Sequence, residues 1–328
     1  MEKLIDLGDL PDDYKIYLED SFRKELLRKA VRKAGGFVKL SKEIEFDWSS
    51  LCKLRRGYRI LKGRHSIYFI KISLLKNLLE LTEMKLEDIK KHIVGIAYSK
   101  YMVKVKLPII PSPELASLVA HAIGDGHAST ERFKYVSKTE ELTLEVKAFV
   151  KEIFGIEGRE YIERGLYYGI EFPGIVSRLL SMTGVPLGRK VTQEFRVPDW
   201  VKEGSKEVKL AFIRALFDDE GSFVLGKRQQ FISISMYKHQ DFIDSHIQFL
   251  GDIRKILFEL DIKSGKLFFM KYKKGTEEFG LGIYRRLSLL KFASTVGFTH
   301  KTKSSRLVDY VKKHSNETLI SNRSLFKV

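Results

Sequence analysis

Cysteine is nearly absent. The 328-residue chain has one, Cys52, which excludes an internal disulfide framework and any cysteine-rich zinc site. Long apolar runs are missing too: none approaches the roughly 20 residues needed to span a bilayer. The amino-terminal text MEKLIDLGDLPDD lacks a signal-peptide pattern. The expected location is therefore soluble and cytoplasmic, with no membrane partner. Acidic residues are in deficit, 42 against 59 basic, for a net charge of +17. The excess is spread along the chain and not confined to a tail, so the field favours a polyanion, most simply nucleic acid. Prolines are scarce, seven in all, yet three fall within Leu107-Pro-Ile-Ile-Pro-Ser-Pro113. They forbid a continuous helix there and stiffen the connection. Residues 107–113 are read as a linker closing an amino-terminal module, residues 1–106, in a chain long enough for two or three domains.

What is present is a repetition. Leu118-Val-Ala-His-Ala-Ile-Gly-Asp125-Gly126 and Ile213-Arg-Ala-Leu-Phe-Asp-Asp-Glu220-Gly221 each run apolar and small, then end in a carboxylate followed by glycine. Ala116 and Ala120 share a register with Ala211 and Ala215, four apart, so each pair lies on one helix face. Small faces let two helices approach closely, and parallel packing brings Asp125 and Glu220 together at the C-terminal ends. Two like charges so placed repel unless a divalent cation neutralises them. A single copy would read as a buried helix stopped by a glycine cap; the duplication points to a metal site. His121 reads as a core-edge histidine, and Asp218 and Asp219 add charge beside Glu220 without matching the ligand position.

Each motif heads a segment with the same pattern: helix, hairpin, helix, hairpin, helix. In the first half, residues 114–204, the spacing predicts strands over 129–137, a helix over 139–154, a hairpin over 159–172 broken at Arg164-Gly165, and a helix over 173–183. The second half, residues 205–312, repeats this with strands over 222–225 and 230–235, a helix over 240–260, a hairpin over 265–284 and a helix over 287–296. Residues 313–328 are left as a tail. Lys190 and Lys303 stand at the same offset from Gly184 and Gly297.

The amino-terminal module reads as helices: 22–34 stopped by Gly35-Gly36, 37–44, and 48–56 capped by Asp47. A short helix, a tight turn and a basic second helix form a helix-turn-helix signature. Leu40-Ser-Lys-Glu-Ile44 with Trp48-Ser-Ser-Leu-Cys-Lys-Leu-Arg-Arg-Gly57 resembles the phage-repressor type of this domain, with further helices around 73–81 and 86–93. That resemblance implies Trp48, Ser49, Ser50, Lys53, Arg55 and Arg56 as groove-facing residues in an all-α domain.

Residues from about 114 to 312 resemble the LAGLIDADG homing endonucleases in their single-chain form, especially the endonuclease region of inteins. The carrying phrases are His121-Ala-Ile-Gly-Asp-Gly126, Lys138-Thr-Glu-Glu-Leu142, Val197-Pro-Asp-Trp200, Phe212-Ile-Arg-Ala-Leu-Phe-Asp-Asp-Glu-Gly-Ser222 and Gly297-Phe-Thr-His-Lys301. The resemblance implies an α+β fold: a pseudo-twofold pair of αββαββα halves whose antiparallel sheets saddle duplex DNA. It implies Asp125 and Glu220 as Mg²⁺ ligands, with Mn²⁺ as a substitute, Lys190 and Lys303 as auxiliary catalytic lysines, and a monomer. The chain begins with Met1 and ends Leu325-Phe-Lys-Val328, without a splicing cysteine or a terminal His-Asn pair, so an intein in this form is not expected.

Phosphodiester cleavage asks for the same residue types: carboxylates to hold a metal that activates water, and a lysine near the phosphate. A two-stranded ribbon fits the major groove, so Arg132, Lys134, Arg164, Lys227, Arg228, Gln229, Gln230, Lys271, Lys273, Arg285 and Arg286 are the expected nucleic-acid contacts. The expected function is site-specific, Mg²⁺-dependent homing-type cleavage of duplex DNA. The alternative is a non-cleaving regulator, or an RNA maturase acting on structured RNA.

Overall fold

The computed structural model describes residues 3–56, 69–98, 102–226, 229–273 and 275–324. The chain divides into two compact units, residues 3–110 with 154–156, and residues 111–153 with 157 onward.

In the first unit strand β1 (Lys15–Leu18) leads into helices α1 (Asp20–Lys33), α2 (Phe37–Glu43) and α3 (Trp48–Arg56). Asp47 caps α3 by accepting the main-chain N–H of Ser50 at 2.8 Å. Then follow β2 (Phe69–Lys71), α4 (Ile72–Thr82), α5 (Leu86–Lys90) and β3 (Ile93–Ala97). The three strands pair antiparallel in the order β2-β1-β3. This corrects the expected all-α module, and it corrects the helix expected over 86–93, which stops at Lys90. The β-branched pair Ile93-Val94 fits a pleated surface better than a helix. The strands were hidden because each has only a few residues, too few for alternation to stand out. Each also gains its partners from far along the chain: Ile16 lies opposite both Ile70 and Ile96. Packing of α1 on α4 closes the core with Leu26, Leu27, Ala30, Leu75 and Leu78.

The second unit opens with α6 (Pro113–Ile123), β4 (His127–Ala128), β5 (Arg132–Ser137), α7 (Glu140–Phe154), β6 (Arg159–Glu163), β7 (Tyr167–Pro173) and α8 (Gly174–Met182). A short helix the sequence pattern did not announce, α9 (Asp199–Lys202), precedes the second copy. That copy comprises α10 (Lys206–Glu220), β8 (Gly221–Leu225), β9 (Gln230–His239), α11 (Ile243–Glu259), β10 (Phe268–Lys273), β11 (Thr276–Ile283) and α12 (Arg286–Thr295). Helix α13 (Lys301–Ser324) ends the described chain.

The two sheets have the orders β4-β5-β7-β6 and β8-β9-β11-β10, antiparallel throughout. In both, the strands run first, second, fourth, third, so the duplication seen in the text is a duplication of topology. Each half is αββαββα, the expected α+β architecture. The hairpin β6–β7 turns at Arg164 and Gly165, with φ of 52° and 69°, the left-handed pair that matches strand twist and favours glycine at its second place. Alternation sorts the sheet faces: on β5, Phe133 and Tyr135 are fully buried while Arg132 and Lys134 face outward.

Helices α6 and α10 pack along their lengths. Each begins at a serine cap, with Ser112 accepting from Leu115 at 3.1 Å and Ser205 from Val208 at 3.4 Å. Pro113 supplies the first turn of α6, where its missing donor costs nothing. Ala116, Ala120 and Ala215 are buried in the pair, and the Ser117 hydroxyl donates across to the Ala211 carbonyl at 3.3 Å. Ala120→Leu should lower the unfolding free energy in a urea titration by about 1–3 kcal/mol through overpacking, whereas Ile162→Leu at an exposed strand position should change it by less than about 0.5 kcal/mol. Equal small effects would show that the helices do not meet through this face.

Candidate active site at the paired helix ends

The packing of α6 on α10 delivers four carboxylates to one place. Asp125 lies just beyond α6, and Asp218, Asp219 and Glu220 form the last turn of α10. Glu220 is half-buried; burial and the facing charge of Asp125 push its carboxyl up to about 7. Asp125 keeps an exposed face, yet the protein around its other sides, and then Asp219, push it up to about 6. Asp218 is buried and does a different task. Its carboxylate accepts the main-chain N–H groups of Thr299 at 3.0 Å and His300 at 2.9 Å, tying α10 to the segment before α13. Burial outweighs those donors and raises Asp218 to about 6.

Lys190 and Lys303 stand where the repeat placed them, one at each helix end. The Lys190 ammonium donates to the carbonyls of Ile123 at 2.8 Å, Gly126 at 2.7 Å and Gly124, with Ala122 at 3.4 Å. Lys303 donates to Phe217 at 3.1 Å and Asp218 at 2.5 Å. These carbonyls are the ones a helix leaves without partners at its C-terminus, where the macrodipole also favours a cation. An ammonium has three donors, so Lys190 is fully engaged by the main chain. Burial pulls both lysines below their usual range against the attraction of Glu220, Asp219 and Asp125. A third lysine, Lys238 on β9, is buried and donates to the Lys190 carbonyl at 2.8 Å with its charge 3.9 Å from the Phe195 ring; burial brings it down to about 8.

Three further residues belong to the site and were not placed there by the sequence pattern. Asp219 extends into the first half, where its carboxylate meets His121 Nδ1 at 3.1 Å and accepts from the Tyr135 hydroxyl at 2.6 Å. His121 is fully buried and not at the core edge. Burial opposes its charged form, but Asp219, with help from Glu145, pushes the imidazole up to about 10. The signal available was a mismatch in register: a histidine opposite leucine and an aspartate opposite glycine.

The sheet candidates divide. Arg132 and Lys134 stand on the open face of β5, each 3.5 Å from Glu171, and Arg159, not among the expected contacts, joins the same carboxylate at 3.8 Å. Arg164 sits in the hairpin turn. On the second sheet Gln230 lies at the start of β9 and bonds His314 at 3.1 Å, while Gln229 just before it is exposed. Alternation along β9 gives the open face to Ser233, Ser235 and Tyr237, uncharged hydrogen-bonding residues that a search for cations passes over. Arg285 and Arg286 stand at the start of α12 and not on a hairpin strand. Lys227 and Arg228 lie outside the described residues, as do the side chains of Lys271 and Lys273 on β10 and of Arg56 on α3. Trp48, Ser49, Lys53 and Arg55 are exposed on α3 and Ser50 is half-buried. Ser49 is turned back onto Asp47 at 2.6 Å, and Arg55 lies 5.6 Å from the Phe37 ring.

As a cation site, Asp125 and Glu220 offer only hard oxygen donors. Among the described residues no group of three or more His, Cys, Asp or Glu side chains is arranged to hold a metal ion. Two carboxylates alone fit only a divalent ion that keeps most of its ligands as water or phosphate oxygen.

Residues 207–297 match the family model of the LAGLIDADG-like domain. Among curated proteins, the tRNA-splicing ligase RtcB of Methanopyrus kandleri is 25% identical over 240 residues, 67% of this chain and 24% of the ligase. The chain spans a quarter or less of the length of the curated relatives it matches. Among solved structures, the homing endonuclease I-DmoI in complex with DNA and Mn aligns at 16% identity and a TM-score of 0.40, covering 57% of this chain and 97% of that one. Full-length WhiA from Thermatoga maritima aligns at 15% identity and a TM-score of 0.40, covering 66% and 68%.

The raised acids carry a sign. Asp125, Asp218 and Glu220 hold protons in the folded chain up to about 6, 6 and 7, against 3.8, 3.8 and 4.5 ordinarily. Their contribution to stability is present below pH 4 and is lost as pH rises through 7. A cation that takes the place of those protons should raise Tm more at pH 8 than at pH 5, by roughly 2–4 °C per kcal/mol of binding in a unit of this size. Glu220→Gln should raise the metal-free Tm at pH 8 and lose the Mg²⁺ increment in calorimetry. An increment independent of pH, or retained in Glu220→Gln, would place the ion elsewhere.

Proposed function

We propose that the chain, whose residues 207–297 match the LAGLIDADG-like domain, is a metal-dependent, site-specific endonuclease acting on duplex DNA, with Asp125 and Glu220 as its essential acids. The observation that carries this reading is the incomplete neutralisation of those two carboxylates. The nearby lysines are occupied with helix carbonyls, so the acids retain a demand for positive charge that the protein leaves to a ligand. When bound, Mg²⁺ or Mn²⁺ supplies an activated water and compensates charge on the phosphate.

The chain's own residues do the remainder. Asp125 and Glu220 hold the ion, one acid from each half. Lys190 and Lys303 fix the two helix ends and lend the site positive potential without being spent on a single phosphate oxygen. Lys238 fixes the main chain of Lys190. The outward residues of the two sheets, Arg132, Lys134 and Arg159 on one and Ser233, Ser235 and Tyr237 on the other, meet the duplex. Phosphate contacts position it and groove contacts select the sequence. The exposed residues of α3 offer a nucleic-acid contact of their own in the first unit. None of the ligase chemistry of the curated relatives is carried over, since the match covers a quarter of their length.

A second reading, a nucleic-acid-binding regulator or RNA-processing protein that does not cut DNA, draws on one observation: among the described residues no group of three or more His, Cys, Asp or Glu side chains is arranged to hold a metal ion. The two separate in one experiment. Incubation with Mg²⁺ and a duplex library drawn from the source genome should give defined breaks that fall by at least about a hundredfold in Asp125→Asn and Glu220→Gln. Binding without breaks, with an affinity that falls steeply with salt, supports the regulator, and cleavage of structured RNA alone supports the processing role. Unchanged cutting in both variants would remove the assigned chemistry.

A further inference from the structure

The two motif helices differ at many register positions, and two of the differences meet. Counted back from the acids, Gly124 is the counterpart of Asp219, and His121 is the counterpart of Leu216. Asp219 crosses from α10 into the space that Gly124 leaves. A Cβ at Gly124 would lie 2.6 Å from Asp219 Oδ2 and 2.7 Å from its Cβ, so only glycine admits this side chain. The Asp219 side chain is wholly enclosed, and all of its partners belong to the first half. His121 Nδ1 lies 3.1 Å from both of its oxygens, and the Tyr135 hydroxyl donates to Oδ1 at 2.6 Å. Behind it, His121 Nε2 has no hydrogen-bond partner and faces Glu145 at 3.8 Å, so the imidazole is oriented from the Asp219 side.

The remaining partner is the main-chain N–H of Asp125, which donates to Asp219 Oδ2 at 3.2 Å. This bond falls where the helices differ in length. Glu220 is still within α10, and its position is set by the helix itself. Helix α6 stops at Ile123; Gly124 bonds back to Ala120 and Gly126 to His121, and the amide of Asp125 between them turns to Asp219.

We propose that Asp219, oriented by His121 and Tyr135, is a positioning residue that holds the main chain of Asp125 from the opposite half, and that the two acids are therefore held by unequal means. Its catalytic consequence rests on the endonuclease reading: the strand served by Asp125 depends on this clamp and the strand served by Glu220 does not.

The test uses the full chain and two readouts. In amide hydrogen exchange on ¹⁵N-labelled protein, Asp219→Ala should speed exchange at Asp125 by about tenfold or more, the loss expected for a hydrogen bond to a charged group, and leave Glu220 unchanged. Asp219→Asn, which keeps an oxygen acceptor, should keep most of the protection and guards against a variant that fails to fold. His121→Leu, the residue found at the matching register position, should give an intermediate acceleration confined to Asp125. In nicking assays on the cleaved duplex with its strands labelled separately, Asp219→Ala should lower the rate on one strand at least fivefold more than on the other, a difference general loosening does not produce. Equal acceleration at Asp125 and Glu220, no acceleration at either, or equal loss on both strands would overturn the proposal. If the wild type cuts neither strand, the endonuclease reading fails and the exchange result alone decides the clamp.

Discussion

The approach of α6 to α10 is the constraint from which the site follows. Alanines at a four-residue spacing let the two helices pack closely, and parallel packing superposes their C-terminal ends. Each end carries unpaired carbonyls and about half a negative charge from the peptide dipoles. Four acidic side chains are added there, on two helices and within two turns. Left alone, that concentration of negative charge would force the helices apart. The chain answers with cations drawn from elsewhere in sequence: Lys190 and Lys303 on the carbonyls, and imidazolium His121 on Asp219. The recurrence of a lysine at one offset in both halves is thus a requirement of the helix pair before it is anything catalytic.

The halves share a strand order and differ in how their ends are secured. In the second half the acid terminates a helix that runs the full length, and Asp218 anchors that helix to the segment before α13 through two main-chain donors. In the first half the helix ends early, and the acid is secured from across the pair. Duplication supplied two equivalent positions. Reciprocal changes, glycine against aspartate and histidine against leucine, then let one helix lend a side chain to the other. Such changes are tolerated only together: Asp219 without Gly124 collides, and without His121 it is a buried charge lacking its partner.

What the sequence made legible was local. The helix cap at Asp47, the glycine stops, the Arg164-Gly165 turn and the period-2 strands each depend on a few adjacent residues, and the repeat doubled many such signals. The position of Asp125 beside Glu220 was legible for the same reason, since two copies of one pattern imply one packing. What escaped depended on distance in the chain. Strands β1 to β3 are short and find partners only through the fold. The His121–Asp219 pair joins residues 98 apart, and nothing near either announces the other. The lysines were found by counting, but counting does not distinguish an ammonium aimed at substrate from one buried among carbonyls. Arg285 and Arg286 were assigned to a hairpin that ends two residues earlier, at Ile283, because strand ends are the least defined part of an alternating pattern.

The division of labour among the charges bears on what the site accepts. Had the lysines been free, phosphate would find a positive surface and the acids would be satisfied by them. Instead the lysines are turned inward, and Asp125 and Glu220 are held with carboxyls raised by burial and by the acids beside them. A phosphodiester approaching those acids unaided meets repulsion, and a lone proton relieves it only at low pH. On the proposed function, the acids therefore require positive charge beyond what the protein supplies before the backbone of a nucleic acid becomes a favourable neighbour. The basic open face of the first sheet, where three cations share Glu171, has no such restriction. On the proposed function, duplex binding and the acquisition of a catalytic cation are separable steps, set by different residues and by different dependences on salt and pH.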